Sequence, residues 1–437
     1  MQAATDEKRQ RVLLLADDFN PLWPSLPIVG FNYARALADI CDVTVATHVR
    51  NRENVEPAKG DLNVVYVDNE WIAAPMHRFS TWLRGGDQVA WSTNMIMAYL
   101  PYLAFEHAVW RAFAEPLKAG AFDIVHRITP MTPTLPSWIA HRLARIDVPF
   151  VIGPLNGGLD WPAAFREEQT REKERLRPLR AAARHLPFSR STYAKSAAVL
   201  SAFDHTHADL DRVDPARLVS FPEIGFDPAM FHVNGTNPAG SRSSDGAIDF
   251  LYAGRLVPYK LPELPVRAFA ETPALRDHRL HIVGDGPELD RIKALIAAHD
   301  LQDCVLLHGR KTQQEVADWM RGTDVFVFPS IRELGAGVVI EAMACGSHCL
   351  TADYGAPGVL AGSGRGTTIP VAPMDKMVAD FAKAMAALAQ DRARLSGAAA
   401  AGQSYAEAQY PWSAKAAHTV TVYNALRSGA DLPDLGY

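Results

Sequence analysis

The chain has 437 residues, 48% apolar and 21% charged, enough for two or three domains and too ordinary in composition to be disordered, collagen-like or stapled by disulfides. Its formal net charge of −5 gives no global attraction to nucleic acid, so any basic site has to be local. Four scattered cysteines fit a reducing cytoplasm, and no stretch approaches the roughly 18 apolar residues of a membrane span.

Lys8, Arg9 and Arg11 precede an apolar run that could imitate a secretory signal, but the run is only Val12–Ala16 and ends at Asp17-Asp18. It reads as a first buried strand. Further strands are predicted at Val43–Thr47, Leu62–Val67, Ile124–Arg127 and Phe150–Ile152, with helices near Gly30–Ile40, Asn94–Ala119, Leu135–Ile146 and Ser191–Ser201. A polar stretch, Asn234–Gly246, then interrupts the pattern as a linker or exposed loop would.

The alternation restarts with strands at Ile248–Ala253, Leu280–Val283, Val305–Leu307, Val325–Phe328 and His348–Ala352. Helices fall at Glu263–Ala270, Pro287–His299, Gln314–Arg321, Val338–Cys345 and Asp375–Gln390. Alternating strand and helix means a parallel, doubly wound sheet, so an α/β chain of two Rossmann-like domains in series is expected, residues 1–225 and 226–410. A last helix, Pro411-Trp412 to Leu426 within residues 411–437, comes after the second sheet is complete and is expected to cross back to the first domain. No repeat of 20–50 residues is visible.

The densest chemical signal runs from Phe326 to Gly346. A buried strand ends at Pro329, a loop carries Glu333, Gly335 and Ala336, and a helix begins near Gly337-Val338 with Glu341 about one turn inside. Loops at the carboxyl ends of strands are where open α/β sheets bind ligands. Glycines admit close approach, and the free amides of a first helical turn suit a phosphate. Two carboxylates so spaced can flank one extended ligand, each accepting sugar or ribose hydroxyls; otherwise they are a dipole-favoured Glu and a surface Glu. Arg255 and Lys260 follow the Ile248–Ala253 strand, where a guanidinium and an ammonium could neutralise a diphosphate or simply be solvated. Gly284-Asp285-Gly286-Pro287 is a Gly-rich turn with Pro placed to open a helix.

Together these segments resemble the family 4 glycosyltransferases, retaining nucleotide-sugar enzymes of the GT-B fold, in which two Rossmann-like domains face across a cleft. The resemblance runs from about Ile248 to the loop after Gly364, and its most specific element is the pair Glu333 and Glu341. It implies that Arg255 and Lys260 bind the donor diphosphate, that Glu333 contacts the sugar and that Glu341 holds the ribose. Gly284, Gly309, Arg310, Gly335, Ala336, Gly337 and Val338 would complete the donor site, with Gly309 against the base and Gly30 approaching the phosphates from the first domain. Leu334 and Leu261 depart from the family, which usually has Gly at both places.

On the acceptor side, His126 ends a strand as a family histidine does, and that role implies a catalytic position; a buried structural histidine would look the same. Gly153, Asn156, Gly157 and Gly158 resemble a cleft loop of some members and equally a plain Gly-rich turn.

The function implied is metal-independent transfer, with retention, from a nucleoside diphosphate sugar to a hydroxyl acceptor, whether a glycan, a glycolipid or a small glycoside. No cofactor and no nucleic-acid partner are expected. A GT-B nucleotide-sugar epimerase and a non-catalytic nucleotide-sugar-binding protein are the alternatives. Arg166–Lys195 carries nine Lys/Arg against four Glu, either a solvated helical face or a surface for a membrane-bound or phosphorylated acceptor. Cys345, His348 and Cys349 lack a fourth soft-metal ligand nearby, and no P-loop, nucleophile elbow or His-Glu-x-x-His is present.

Overall fold

The computed structural model describes residues 9–76, 98–166, 169, 185–234 and 246–437. The chain folds as two compact units: Met1–Gly158 with Lys173–Glu223 and Trp412–Tyr437, and Leu159–Glu172 with Ile224–Pro411. Each is built on a parallel sheet flanked by helices.

In the first unit the strands are β1 (Arg11–Ala16), β2 (Asp42–His48), β3 (Asn63–Val67), β4 (Ile124–Thr129), β5 (Phe150–Leu155), β6 (Ala198–Ser201) and β7 (Leu218–Ser220), in the order β3-β2-β1-β4-β5-β6-β7. After Arg11, β1 is uninterruptedly apolar because both its faces are covered, as central parallel strands require. Val12, Leu14 and Ala16 enter one core and Leu13 and Leu15 the other. Each such Leu or Val contributes about 1.5–3 kcal/mol by leaving water. The longer helices here are α1 (Leu26–Ala38), α2 (Tyr99–Lys118) and α3 (Ser189–Lys195).

The second unit holds β8 (Asp249–Ala253), β9 (Arg279–Val283), β10 (Val305–Gly309), β11 (Val325–Phe328), β12 (His348–Asp353) and β13 (Gly366–Pro370), ordered β10-β9-β8-β11-β12-β13. Its helices are α4 (Glu263–Glu271), α5 (Leu289–Ala298), α6 (Gln313–Gly322), α7 (Gly337–Ala344), α8 (Gly355–Ala361), α9 (Met374–Gln390) and α10 (Arg392–Gln409). In both sheets the strand order reverses direction beside the first strand, between β1 and β4 and between β8 and β11. Loops diverge at these points and leave a crevice at the carboxyl edge.

The last helix, α11 (Trp412–Ser428), belongs to the first unit. Its Ala416, Val422 and Tyr423 join the core that contains Phe31 and Tyr33 of α1, and Thr419 meets the Tyr33 hydroxyl.

Several expectations are corrected. The predicted helix Ser191–Ser201 is α3 followed by β6, because the Ala197 amide already pairs with the Phe150 carbonyl at 2.7 Å. The predicted helix Leu135–Ile146 shrinks to Ile139–Leu143, since Leu135 and Ser137 are tied in a loop by the fully buried Arg127 and Glu106. Pro287 lies before the helix, which starts at Leu289. β7, β13, α8 and α10 were not foreseen. A single boundary near residue 225 also misses the stretch Leu159–Glu172, assigned to the second unit because Trp161 and Phe165 bury in its core. Asn94–Met97 and most of both the Asn234–Gly246 stretch and the basic run in Arg166–Lys195 lie outside the described residues. No helix among the described residues is long and apolar enough to cross a membrane.

Candidate functional site

In the second unit the loops after β8 and β11 meet at the point where the sheet reverses. β8 ends at Ala253 and passes through Gly254, at φ +156°, to the exposed Arg255. A Cβ on Gly284, after β9, would lie 1.9 Å from the Gly254 carbonyl oxygen, and one on Gly286 would lie 2.4 Å from that of Leu256. The two turns therefore pack backbone against backbone, and the Gly284 requirement comes from the chain itself. Gly309 closes β10 at φ +66° with open space around it, and it and Arg310 are exposed.

A one-turn helix, Pro258–Lys260, follows Arg255 and ends at Leu261, whose backbone is left-handed, φ +47°, while its side chain is only 1% exposed. Lys260 turns back to the other loop: its Nζ is 2.8 Å from Glu333 Oε1, with side-chain exposures of 13% and 16%. The Ser330 hydroxyl donates to the same oxygen at 3.0 Å. Arg255 meets the Tyr259 hydroxyl at 3.0 Å, and no carboxylate faces it among the described residues.

α7 begins after Ala336, which holds a left-handed backbone at φ +54° and provides no side-chain cap; its first turn has no acidic residue. The amides of Gly337 and Val338 find no acceptor among the described residues. Gly335, two residues before this turn, is buried. Glu341 stands four residues after Gly337, hence on the same face and about 6 Å further along the axis. Among the described residues no partner faces its carboxyl, and burial raises it to about 7. Two cations, two uncapped amides and two separately placed carboxyls are thus carried by the loops after β8 and β11 and by the first turns of α7. That set suits a diphosphate carrying hydroxyl-rich groups at both ends.

The acceptor-side expectations fare differently. His126 is fully buried in the first unit, with Nδ1 2.6 Å from the Tyr423 hydroxyl and Nε2 2.8 Å from the Gly153 carbonyl. Burial lowers it to about 4. Both nitrogens are engaged in tying β4 to β5 and α11, the arrangement of a structural histidine. Gly153 lies inside β5, where a Cβ would come 2.2 Å from the Leu200 carbonyl oxygen. Gly158 approaches His205 equally closely, with 1.9 Å from its Cβ position to the carbonyl oxygen, and Gly157 exchanges hydrogen bonds with Thr206. Asn156 donates to buried Glu223 at 2.8 Å. Gly30 does not open α1 but sits within it, buried, letting the helix approach Thr129 and the Asp18 carbonyl. These five residues are explained by packing.

Further charged groups gather at the carboxyl edge of β1–β3, outside the predicted site residues. Asp17 and Asp18 follow β1 at the first sheet's reversal point. Burial, reinforced by Asp18, raises Asp17 to about 7, with Arg50 opposing; Asp18 is raised by burial as well. Asn51 donates to the Asp17 carbonyl at 2.8 Å and Thr129 to that of Asp18 at 3.0 Å, so both residues have fixed backbones. Arg50 Nε reaches His48 Nδ1 at 3.0 Å and Glu70 Oε1 at 3.6 Å. Two aspartates directly after the apolar run Val12–Ala16 were the available signal.

The family model for group 1 glycosyl transferases matches residues 234–402. A D-inositol 3-phosphate glycosyltransferase of Streptomyces scabiei is 30% identical over 344 residues, 74% of this chain and 72% of the relative. Another, of Kineococcus radiotolerans, is 32% identical over 250 residues, 51% of this chain and 56% of the relative. Against several such relatives the match spans about half of their length or less, 39% for that of Streptomyces bingchenggensis. Among solved structures, Anabaena HepE in complex with UDP and glucose superposes with a TM-score of 0.59 at 16% identity over 96% of this chain and 100% of the other. The sucrose-phosphate synthase of Thermosynechococcus elongatus gives 0.62 at 18% over 97% and 100%. At these identities the likeness is one of fold.

Proposed function

The chain belongs to the group 1 glycosyl transferase family, and from that premise we propose that it transfers a sugar, with retention and without a metal, from a nucleoside diphosphate sugar to a hydroxyl acceptor. The observation that carries this is the second unit's reversal point, where Arg255, Lys260 and the amides of Gly337 and Val338 gather positive charge beside Glu333 and Glu341. In the reaction the bond between anomeric carbon and diphosphate breaks, and negative charge grows on the leaving oxygen. Preoriented cations and amides stabilise that charge at no cost in reorganisation. Glu341 accepts the ribose hydroxyls and Glu333 the sugar hydroxyls. Retention follows if the acceptor oxygen attacks from the leaving group's own side and gives its proton to the departing phosphate, which asks for no nucleophile from the chain.

UDP-glucose is the first donor to test, after the UDP and glucose held by HepE. A polyol phosphate is the first acceptor, after the relatives named for inositol 3-phosphate. The acceptor side rests best on Asp17, Asp18 and Arg50, because both ring nitrogens of His126 and the side-chain nitrogen of Asn156 are engaged by the fold. The test is a panel of UDP-, GDP- and TDP-sugars followed by thermal stabilisation, where a ligand at 100 times its Kd adds about 2.7 kcal/mol. Activity that survives EDTA and yields an α-configured glycosidic bond from an α-configured donor supports the reading. Loss restored only by Mg²⁺ removes the metal-free part, an inverted product removes retention, and a product with no new linkage removes transfer.

A further inference from the structure

The stretch after Gly158 departs from the first unit's pattern and belongs to the second, and it lands beside Glu333. Leu159, Trp161 and Phe165 are 6%, 7% and 1% exposed, the latter two inside the second unit's core. Three contacts go further than core filling. The Arg332 guanidinium lies over the Trp161 ring, 5.3 Å from its centroid. The Tyr354 hydroxyl donates to the Asp160 carbonyl at 2.9 Å. Gly355, at φ +59°, is confined between Leu159 and Glu333, since a Cβ there would lie 2.8 Å from the Leu159 side chain and 2.7 Å from the Glu333 carbonyl oxygen, which accepts from the Ala356 amide at 3.2 Å. Arg332, which precedes Glu333, and Gly355, which faces the Glu333 carbonyl, are therefore both packed against this one stretch, while Lys260 and Ser330 hold the carboxylate.

We propose that Leu159–Phe165 is a strap that sets the geometry of the sugar-binding carboxylate, with Trp161 as a positioning residue acting through Arg332 on Glu333. The inference rests on the reading of Glu333 as the sugar contact. The contacts described above run from the strap to Arg332, Tyr354 and Gly355, on the Glu333 side of the site, so its loss should be felt in recognition of the sugar more than of the nucleotide.

Calorimetry of UDP and of UDP-glucose on the full chain separates the two, the ratio of their dissociation constants being the readout. Trp161→Phe keeps an aromatic platform in the core and should retain most of the ratio. Trp161→Ala and Arg332→Gln should each reduce it about ten-fold, the scale of a desolvated cation–π contact, with UDP affinity within about two-fold of wild type. Arg332→Gln leaves the core intact and so keeps the test alive if Trp161→Ala does not fold. The double variant Trp161→Phe/Arg332→Gln should lose no more than Arg332→Gln alone. Variants that lower only the melting temperature, with the ratio unchanged, or losses that add, would overturn the strap. Glu333→Gln is measured alongside. If it leaves the ratio intact, or if wild type fails to distinguish UDP-glucose from UDP or binds neither, the sugar-contact reading falls and the strap with it. If it removes the ratio while the Arg332 variant keeps it, the strap alone is refuted.

Discussion

Lys260 and Glu333 are paired at 2.8 Å, so the cation assigned to the diphosphate and the carboxylate assigned to the sugar form a single ion pair. Lys260→Met removes a charge-assisted hydrogen bond to the diphosphate and leaves Glu333 facing it. A loss of about 10–100-fold in UDP affinity is expected, from about 1.5–3 kcal/mol for such a bond. Glu333→Gln releases Lys260 for the ligand, so UDP affinity should stay level or rise while turnover falls. Calorimetry on both variants decides it. Equal losses of UDP affinity would mean that the pair acts as one unit and that the division of roles is wrong.

Glu341 links ligand binding to pH. Its carboxyl is raised from 4.5 to about 7 by burial, so between those values the folded chain keeps a proton that the unfolded chain has lost. Stability should then fall as pH rises through that window and level off above it, by an amount on the order of 1–3 kcal/mol. Glu341→Gln lacks this slope, and the difference between the two melting curves isolates it from the similarly raised Asp17. If ribose binds the carboxylate, UDP affinity should climb from pH 6 to pH 8 in wild type more than in Glu341→Gln. Parallel affinity curves would remove Glu341 from the ribose.

What could be read from the residues alone was what local pattern determines. β8 and β11 are short apolar runs ending in Gly254-Arg255 and in Pro329, and their loops carry the charges where the resemblance put them. Leu261 shows how one departure from glycine is tolerated, since it adopts the left-handed backbone regardless, whereas Leu334, the other departure, stands outside the left-handed region. The misses are decided by partners far away in sequence. Nothing near His126 announces that Tyr423, 297 residues later, occupies its Nδ1. Nothing in Leu159-Asp160-Trp161-Pro162 says which of two cores takes the tryptophan, and only the packing against Phe165 and the second sheet settles it. Ala198–Ser201 is too short for its period to distinguish strand from helix.

Because His126 is read as structural, its variants should cost stability and not chemistry. His126→Gln gives up a well-fitted ring between Tyr33 and Tyr423 and at least one of two buried hydrogen bonds, worth about 2–4 kcal/mol. With its folded value near 4 against 6.5, wild type loses stability as pH falls from about 6.5 toward 4, where only the unfolded chain takes up the proton. The variant should lack that slope. Turnover per folded molecule should stay within about three-fold. A collapse of turnover with the melting temperature unchanged would restore a catalytic role.

Ala336 and Leu261 hold nearly the same strained backbone, φ +54° and +47°, yet glycine should act on them in opposite directions. A left-handed backbone costs a residue with a Cβ about 1–2 kcal/mol, and glycine relieves this at an entropic cost of about 0.4–1 kcal/mol in the unfolded chain. Ala336 has only a methyl to lose, so Ala336→Gly should stabilise by about 0.5–1 kcal/mol and leave the α7 amides in place, with UDP affinity unchanged. Leu261 is 1% exposed within the second core, and deleting that side chain costs about 2–5 kcal/mol, more than the strain returned. Leu261→Gly should therefore destabilise. Ala336→Val, with a β-branched side chain forced into the same region, should both destabilise and weaken UDP by displacing the first turn of α7. Urea unfolding of the three variants with a UDP titration checks all of this. A stabilised Ala336→Val would mean that the loop relaxes and that the turn is not held in the geometry that presents its amides.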